Sequence, residues 1–552
     1  MKLRGRDWAF WLQAVGLVCI WAAVSVIAAW FVWRGYELHR RADAWKTTIV
    51  VGSLVSTVFF ICAGVLTYLF VNVGADDSPG PEVPHEISPT EESLTHGVLQ
   101  PWSGGMKAAV ALLAAFTGFA MFYWYRQLSQ GLVVTGLKRP VFWGMYITNF
   151  VFFVGMSYGG TLVSAILRLA SGEWRRPITR AAEAAAVILL CIGGWNVFLD
   201  LGRPDRAWKL FVWGRMQSPL MWDVIAMTTY LALGVLYLYL PLIPDLALLR
   251  HRVTGWRKPL YHLLAFGWTG TKKQFEALER VISIVAVVII PVAVSVHSVL
   301  AWVFSMTIQP MWHSSIFGPY FVLGAMFSGV AALVIVLAIT RQVLHLEKFL
   351  QPVHFKYLGG LLIMLSLFWV YFTGSELLTV YYGDEPREMA VLLSKMTGAF
   401  EPLTIVMFLF CFIVPVGLLA FRRTIRTTVI ASVAIVIGMW IERFTIVVPT
   451  LVQPSLPYPV AHYTPDVLEF VMLFGCISLF GLLYLIFARL FPIVSVWEMT
   501  EGRETAAGVT ASRIRSYFPA DHAGELEPGS VAVPAAVPPV DGAAQRPIAV
   551  DE

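Results

Sequence analysis

Charge is scarce in this sequence. Of 552 residues only 14% are Asp, Glu, Lys or Arg, against about 25% in a soluble domain. That excludes a water-facing fold for most of the chain. The net charge is also small, +5, and gives no sign of nucleic-acid binding; it fits basic loops on one side of a membrane. Clustered cysteines are missing. Cys19, Cys62, Cys191, Cys411 and Cys476 each stand alone in apolar runs, with no CxxC, CxxCH or Cys/His cluster. This argues against an iron–sulfur cluster, a c-type haem or a zinc site in the chain. Lone buried cysteines act as small packing residues. Histidines paired at the spacing of haem ligands are missing too, so no haem is expected. The apolar runs do not alternate with polar residues, which excludes a β-barrel.

What is abundant is apolar length. Hydrophobic residues make up 58% of the chain, and the mean hydropathy is +0.70. Crossing a bilayer takes about 20 apolar residues. That rule predicts helices near 9–34, 47–74, 106–126, 141–169, 180–201, 219–243, 279–305, 316–341, 356–381, 402–421, 427–448 and 466–490. The expected fold is an all-α, polytopic transmembrane bundle of about 12 spans. Lys2, Arg4 and Arg6 resemble the start of a secretion signal, but the apolar run continues over 8–33, too long for one. Residues 75–105 read as an acidic polar loop with Asp76, Asp77, Glu82, Glu86, Glu91 and Glu92. Residues 245–278 form a basic loop with Arg250, Arg252, Arg257, Lys258, Lys272 and Lys273, and 491–552 read as a disordered tail rich in Ala, Pro and Gly.

The Lys/Arg distribution orients the chain. The 245–278 loop, the loop with Arg341, Lys348 and Lys356, and the loop with Arg422, Arg423 and Arg426 read as cytoplasmic. The basic-poor loops at 306–315, 382–401 and 449–465 read as outside. Counting back puts the N-terminus inside and 201–218 outside, and leaves Arg34, Arg40, Arg41 and Lys46 outside against the rule.

Ionisable groups inside spans are unfavourable and therefore informative. Arg180 and Glu183, three apart, share a helix face and can pair. Asp200 closes a predicted helix before Leu201-Gly202-Arg203-Pro204. Ser218 and Pro219 look like an N-cap and a first helical residue, with Asp223 in the first turn. Two carboxylates thus converge near one membrane face, where they can take and pass protons. Tyr158, among Gly155, Gly159 and Gly160, is expected at the same level. The alternative is that Asp200 pairs with Arg203 and that Asp223 only serves its helix terminus. Further in, His297 is either a proton carrier or a satisfied core histidine. Glu376 and Glu442 are lone acids in spans, with Arg443 beside the second, and suit a proton path. Trp312 and His313 read as interfacial anchors.

These residues fall within a longer ordered pattern. Its parts are Thr135-Gly136-Leu137-Lys138-Arg139-Pro140, Gly155-Met156-Ser157-Tyr158-Gly159-Gly160-Thr161, and Glu173-Trp174-Arg175-Arg176-Pro177 running on to Arg180 and Glu183. Leu201-Gly202-Arg203-Pro204, Ser218-Pro219-Leu220-Met221-Trp222-Asp223, Ser295-Val296-His297-Ser298, Trp312-His313-Ser314 and Gly438-Met439-Trp440-Ile441-Glu442-Arg443 complete it. Together they resemble the NrfD-like (polysulfide reductase membrane subunit) family, and within it the quinol-binding membrane subunit of alternative complex III. The similarity runs over about residues 100–490. The family's usual residue before Leu-Gly-Arg-Pro is histidine, where this chain has Asp200, and its glycine-rich turn often holds histidine, where this chain has Tyr158.

The resemblance implies a core of about ten spans over 106–490, preceded by two extra helices within 1–74. It implies a quinone or menaquinone as substrate, bound near the outer face, and no haem, iron–sulfur cluster or metal in this chain. Electrons would pass to an iron–sulfur subunit and a molybdopterin-type subunit, with c-type cytochromes and a second NrfD-like subunit as further partners. The implied location is the bacterial cytoplasmic membrane. The expected quinone site is Tyr158, Asp200, Arg203, Trp222 and Asp223, with Asp200 and Asp223 handling protons. Arg180, Glu183, His297, Glu376, Glu442 and Arg443 would form a proton relay. An ion-coupled secondary transporter would use the same buried acids to bind its ion, and a structural anchor without a working quinone site is the other rival.

Overall fold

The computed structural model describes residues 8–39, 44–69, 71, 89–215, 217–453 and 462–502. Lys2, Arg4, Arg6, Arg40, Arg41, Asp76, Asp77, Glu82, Glu86 and the tail from residue 503 lie outside the described residues. The chain separates into two units, residues 1–497 and 498–552.

Long apolar runs with no polar partner for their backbone must close every hydrogen bond within the segment, and helices do so. The first unit is accordingly helical. In chain order it contains α1 (Trp8–His39), α2 (Ala44–Leu69), α3 (Pro89–Leu99), α4 (Gly104–Gln130), α5 (Met145–Leu169), α6 (Thr179–Asp200), α7 (Lys209–Trp213) and α8 (Pro219–Tyr239). It continues with α9 (Leu242–Leu249), α10 (Arg257–Leu264), α11 (Lys272–Ser305), α12 (Phe317–Val343), α13 (Pro352–Gly383) and α14 (Pro386–Met396). Last come α15 (Glu401–Phe408), α16 (Val414–Phe421), α17 (Ile425–Val452) and α18 (Val467–Leu490). Among the described residues, 11 helices are long and apolar enough to cross a membrane, and α2 adds the shorter apolar stretch Ser56–Leu69. The expected polytopic helical bundle is the fold observed.

α5 is the axis of the bundle and is buried over nearly its whole length. It packs on α6, α11, α12 and α17. Small residues make that possible. Gly159 and Gly329 face each other so closely that a Cβ on Gly159 would stand 2.6 Å from the Gly329 Cα, and a Cβ on Gly160 would stand 2.7 Å from the Ala182 carbonyl oxygen. The N-terminal pair packs on itself and leans on α8, with Gln13 donating to the Leu263 carbonyl at 2.7 Å.

The span predicted at 402–421 is one helix with an inserted π turn at Leu409–Ile413. Pro415 has no N–H to give to the Cys411 carbonyl four residues back. The Ser366 hydroxyl of α13 supplies the missing donor at 2.5 Å. The 279–305 span begins earlier than predicted, at Lys272, because Thr271 and Gln274 form a capping box that starts a helix in polar sequence.

Several expectations need correction. The acidic 75–105 segment contains a helix, α3, whose last carbonyls are held by cations: Arg489 donates to Gly97 O at 2.8 Å and Arg257 to Val98 O at 3.1 Å. This is favourable chemistry for a helix C-terminus. The basic 245–278 loop is folded into α9 and α10. The tail does not begin at 491: Ile493, Val494, Ser495 and Val496 are buried in the bundle. Trp312 is no interfacial anchor. It is 1% exposed, stacks on Trp143 and donates its indole N–H to Ile446 O at 3.0 Å, whereas its neighbour His313 is exposed.

Candidate functional site

α6 ends at Asp200 and α8 begins at Pro219, so the acids singled out in the sequence, Asp200 on α6 and Asp223 on α8, flank the connection 201–218. Ser218 occupies the N-cap position and Pro219 the first helical position, as expected, but the serine side chain makes no capping bond. Asp223 lies just beyond the first turn, so it does not serve as a terminal cap.

Both carboxylates are incomplete in the same way. Asp200 Oδ1 and Asp223 Oδ1 are each buried with no hydrogen-bond partner among the described residues. A buried oxygen of this kind is unfavourable by about 1–3 kcal/mol, more when charged, unless something donates to it. The alternative pairing of Asp200 with Arg203 does not form. Arg203 turns outward and donates to both Asp205 oxygens, at 3.0 Å each, with 63% of its side chain exposed. The exposed guanidinium holds the Asp205 carboxyl below its ordinary value. Trp222 is partly buried beside Asp223 in sequence.

The surroundings of Asp200 are built by distant elements. One residue earlier, the Leu199 carbonyl accepts from Gln127 Nε2 at 2.6 Å, and Gln127 Oε1 accepts the Tyr146 hydroxyl at 2.6 Å. Glu469 and Tyr146 lie within electrostatic reach of Asp200. Glu469 differs from Asp200 in being fully used. Its carboxylate accepts from the Tyr463 hydroxyl at 2.6 Å, from Gly136 N at 3.0 Å and from Asp466 N at 2.8 Å. Burial and the Glu469 charge push the Tyr463 phenol up, which keeps it a donor. The Tyr463 oxygen in turn accepts from Met145 N at 3.0 Å. Glu469 therefore ties the start of α18 to the turn before α5, within electrostatic reach of Asp200.

Tyr158 does not join this level. It lies twelve residues after Tyr146 on α5, about 18 Å deeper at the helical rise per residue. Tyr230 marks the same depth on α8, since its hydroxyl donates to Thr161 Oγ1 at 2.9 Å. Seven residues separate Tyr230 from Asp223, about 10 Å along the helix. Tyr158 instead packs against His297, with ring centroids 4.3 Å apart. Neither the Tyr158 hydroxyl nor His297 Nε2 has a hydrogen-bond partner among the described residues, while His297 Nδ1 lies 3.3 Å from Ala293 O.

The remaining residues fall into two groups. Arg180 and Glu183 do not pair with each other. Arg180 binds Asp245 of α9, an acid hidden among the basic residues of its loop, and also donates to Pro492 O at 3.1 Å and Ser495 Oγ at 3.0 Å. Glu183 accepts from Ser164 Oγ at 2.5 Å. Glu442 and Arg443 form a buried pair at 3.2 Å, with the guanidinium over the Phe321 ring. Glu376 faces the same interior region together with Lys395, which no sequence pattern singles out. No cluster of three metal-ligating side chains occurs among the described residues.

The sequence profile described as polysulphide reductase, NrfD, matches residues 133–455. The chain belongs to this family. The NrfD match spans α5 to α17 and contains Asp200, Asp223, Tyr158, His297, Glu376 and Glu442, while Glu469 lies beyond it. Membership of the NrfD family and the many apolar helices make this a multi-pass integral membrane protein. A Halobacterium salinarum protein named as a dimethyl sulfoxide reductase membrane subunit is 30% identical over 41% of this chain and 50% of its own length. A selenate reductase subunit of Mesobacillus selenatarsenatis is 24% identical over 69% of this chain and 93% of its own. The Hdr-like menaquinol oxidoreductase integral membrane subunit of Archaeoglobus fulgidus is 23% identical over 70% of this chain and 93% of its own.

Proposed function

We propose that this NrfD-family chain is the quinol-reactive membrane subunit of a respiratory oxidoreductase, with the reaction at the 201–218 end of the bundle. The observation that carries the proposal is the pair of carboxylates Asp200, partly buried, and Asp223, buried, each with a buried oxygen that nothing among the described residues donates to. A quinol presents two hydroxyl donors, and its oxidation releases two protons that need acceptors able to change charge. Asp200 and Asp223 take that role, beside Trp222. Arg203, exposed and held by Asp205, is outside the site. Tyr158 and His297 lie too deep to touch a head group at the Asp200 level; they belong with Glu183, Glu376 and the Glu442–Arg443 pair on a proton path through the bundle. Arg180, committed to Asp245 and the 492–495 segment, serves structure.

The names of the relatives support the rest. They name a membrane subunit of a dimethyl sulfoxide reductase, a subunit of a selenate reductase and an integral membrane subunit of a menaquinol oxidoreductase. Menaquinol is therefore the quinol proposed here, an iron–sulfur subunit the electron partner, and a molybdopterin-type subunit the next. The bacterial cytoplasmic membrane is the proposed location. Kinship with alternative complex III, and with it c-type cytochromes and a second NrfD-like subunit, rests on the sequence pattern alone. The proposed division is two extra helices in 1–74, a connecting segment to 105, a quinone-reactive core over 106–490 and a cytoplasmic tail beyond the packed 491–497 segment.

The test is to purify the chain with whatever co-purifies and add a menaquinol analogue without oxygen. Reduction of an iron–sulfur signal in a partner protein, followed by electron paramagnetic resonance, is the expected result. A partner that carries such a centre but stays oxidised, in a preparation reducible by dithionite, contradicts the proposal.

A further inference from the structure

A second charged site lies apart from Asp200 and Asp223. Glu376 on α13, Glu442 on α17 and Lys395 on α14 line one cavity of ≈ 30 Å³, with Tyr320, Thr373 and Thr404 among its other polar walls. That is room for about one water molecule. The Lys395 ammonium is not closed on the carboxylates. Among the described residues Lys395 forms no ion pair within 4.0 Å of either glutamate. Glu442 is 1% exposed, and its Oε2 has the charge of Arg443 nearby but no hydrogen-bond donor among the described residues. Tyr320 is held by Thr373 at 3.2 Å. A buried carboxylate oxygen, a carboxylate and an ammonium thus face one water-sized gap. Water there is the simplest partner for all three.

The position of the lysine is unusual for a structural countercharge. α14 is not a span; it lies in the connection between α13 and α15. Its apolar face, through Val391, Leu392, Met389 and Met396, rests on Met311, Leu377 and Val380. Met311, Leu377 and Met396 are also cavity walls. α14 therefore closes the cavity on the side of the 384–400 connection, and Lys395 reaches in from that lid. Burial lowers the Lys395 ammonium, and Glu376 and Glu442 oppose it. The charges facing the cavity are Glu376, Glu442, Arg443 and Lys395, with Glu388 on α14 and His297 sensing them from further off.

We infer that this cavity is a proton-loading site whose lid is α14 and whose countercharge is Lys395. A proton carried as the O–H of Glu376 or Glu442 passes to the cavity water, and the hydronium passes to the medium at the 384–400 side. The carboxylate left behind is balanced by the Lys395 ammonium, and no other bond changes. Lys395 is a positioning residue, remote from the quinol. The inference rests on the reading that the bundle moves protons, and the experiment separates the two.

The complex is reconstituted in liposomes, and quinol turnover is read together with protons released per quinol. Variants are Lys395→Met, Lys395→Arg and Glu376→Gln. The expected result is turnover near the wild-type rate in all three under uncoupled conditions. Release falls to the two protons of quinol chemistry in Lys395→Met and Glu376→Gln, and is kept in Lys395→Arg. Full release in both Lys395→Met and Glu376→Gln overturns the site. If the wild type itself releases only those two protons, proton transport by the bundle is wrong, and infrared spectra in H2O and D2O then judge the site alone. A carboxylic C=O band that exchanges with D2O and vanishes in Glu376→Gln upholds it; no such band overturns it.

Discussion

Replacing Asp245 by asparagine tests the packing logic of the cluster around Arg180. Asp245 is 1% exposed and accepts from Arg180, from Val496 N at 3.0 Å and from Trp497 N at 3.1 Å. Asparagine keeps the shape and one acceptor oxygen but removes the charge that compensates Arg180, itself 1% exposed. Breaking a buried pair on one side is destabilising by about 3–5 kcal/mol, because the surviving charge stays buried and unpaired. The two backbone donors lose a charge-assisted acceptor as well. Thermal unfolding in detergent, followed by the reactivity of the buried thiols of Cys411 and Cys476, reads the loss of the whole bundle. Protease sensitivity near residue 492 reads local release of the segment. Asp245→Asn is expected to lower the unfolding temperature and expose that segment. The double variant Arg180→Met, Asp245→Leu recovers much of the global stability, since neither charge remains. An Asp245→Asn protein as stable as wild type, with the segment still protected, refutes the reasoning.

Other consequences are as direct. Gly329→Val places a side chain against the α5 backbone at Gly159; the variant is expected to accumulate poorly in membranes, while Gly374→Val, where a Cβ meets open space, accumulates normally. Ser366→Ala leaves the Cys411 carbonyl without its donor; the expected loss is about 0.6 kcal/mol, up to about 1.7, read as a small drop in detergent unfolding temperature. Arg203→Ala is expected to leave quinol turnover unchanged, because the guanidinium is exposed and spent on Asp205; a large fall in rate at matched protein level returns Arg203 to the site.

The spans were legible because apolar length is a local property of the sequence, and length alone sets whether a helix crosses. Partners were less so. Arg180 and Glu183 have the spacing of a helical ion pair, yet the start of α6 abuts α9, and Asp245 outcompetes Glu183 there. Asp245 itself was hidden in a basic loop, where an acid looks solvated. Glu469 left a trace, since Asp466 and Glu469 have the spacing of a capping box, but its bonds to Gly136 and Tyr463 join segments far apart in the chain. Lys395 gave no signal, because a lysine in a polar connection reads as exposed until α14 is seen folded over the Glu376 cavity. Tyr158 lies deeper than its motif suggests, because a glycine-rich motif fixes close packing and not depth. That Asp200 and Asp223 flank one connection was legible from the break at Gly202–Pro204 and the restart at Pro219. Their unpartnered oxygens were not, since an empty hydrogen-bonding position is a property of everything around it.

The central claim is that Asp200 and Asp223 take the protons of a bound quinol. Its most direct measurement is the rate of menaquinol oxidation by membranes carrying the double variant Asp200→Asn, Asp223→Asn, at matched levels of assembled protein. Loss of positioned proton acceptors lowers such a rate by about 10²–10⁴-fold, so the account predicts turnover near background, with Asp200→His alone retaining activity. Near-normal oxidation by the double variant contradicts it.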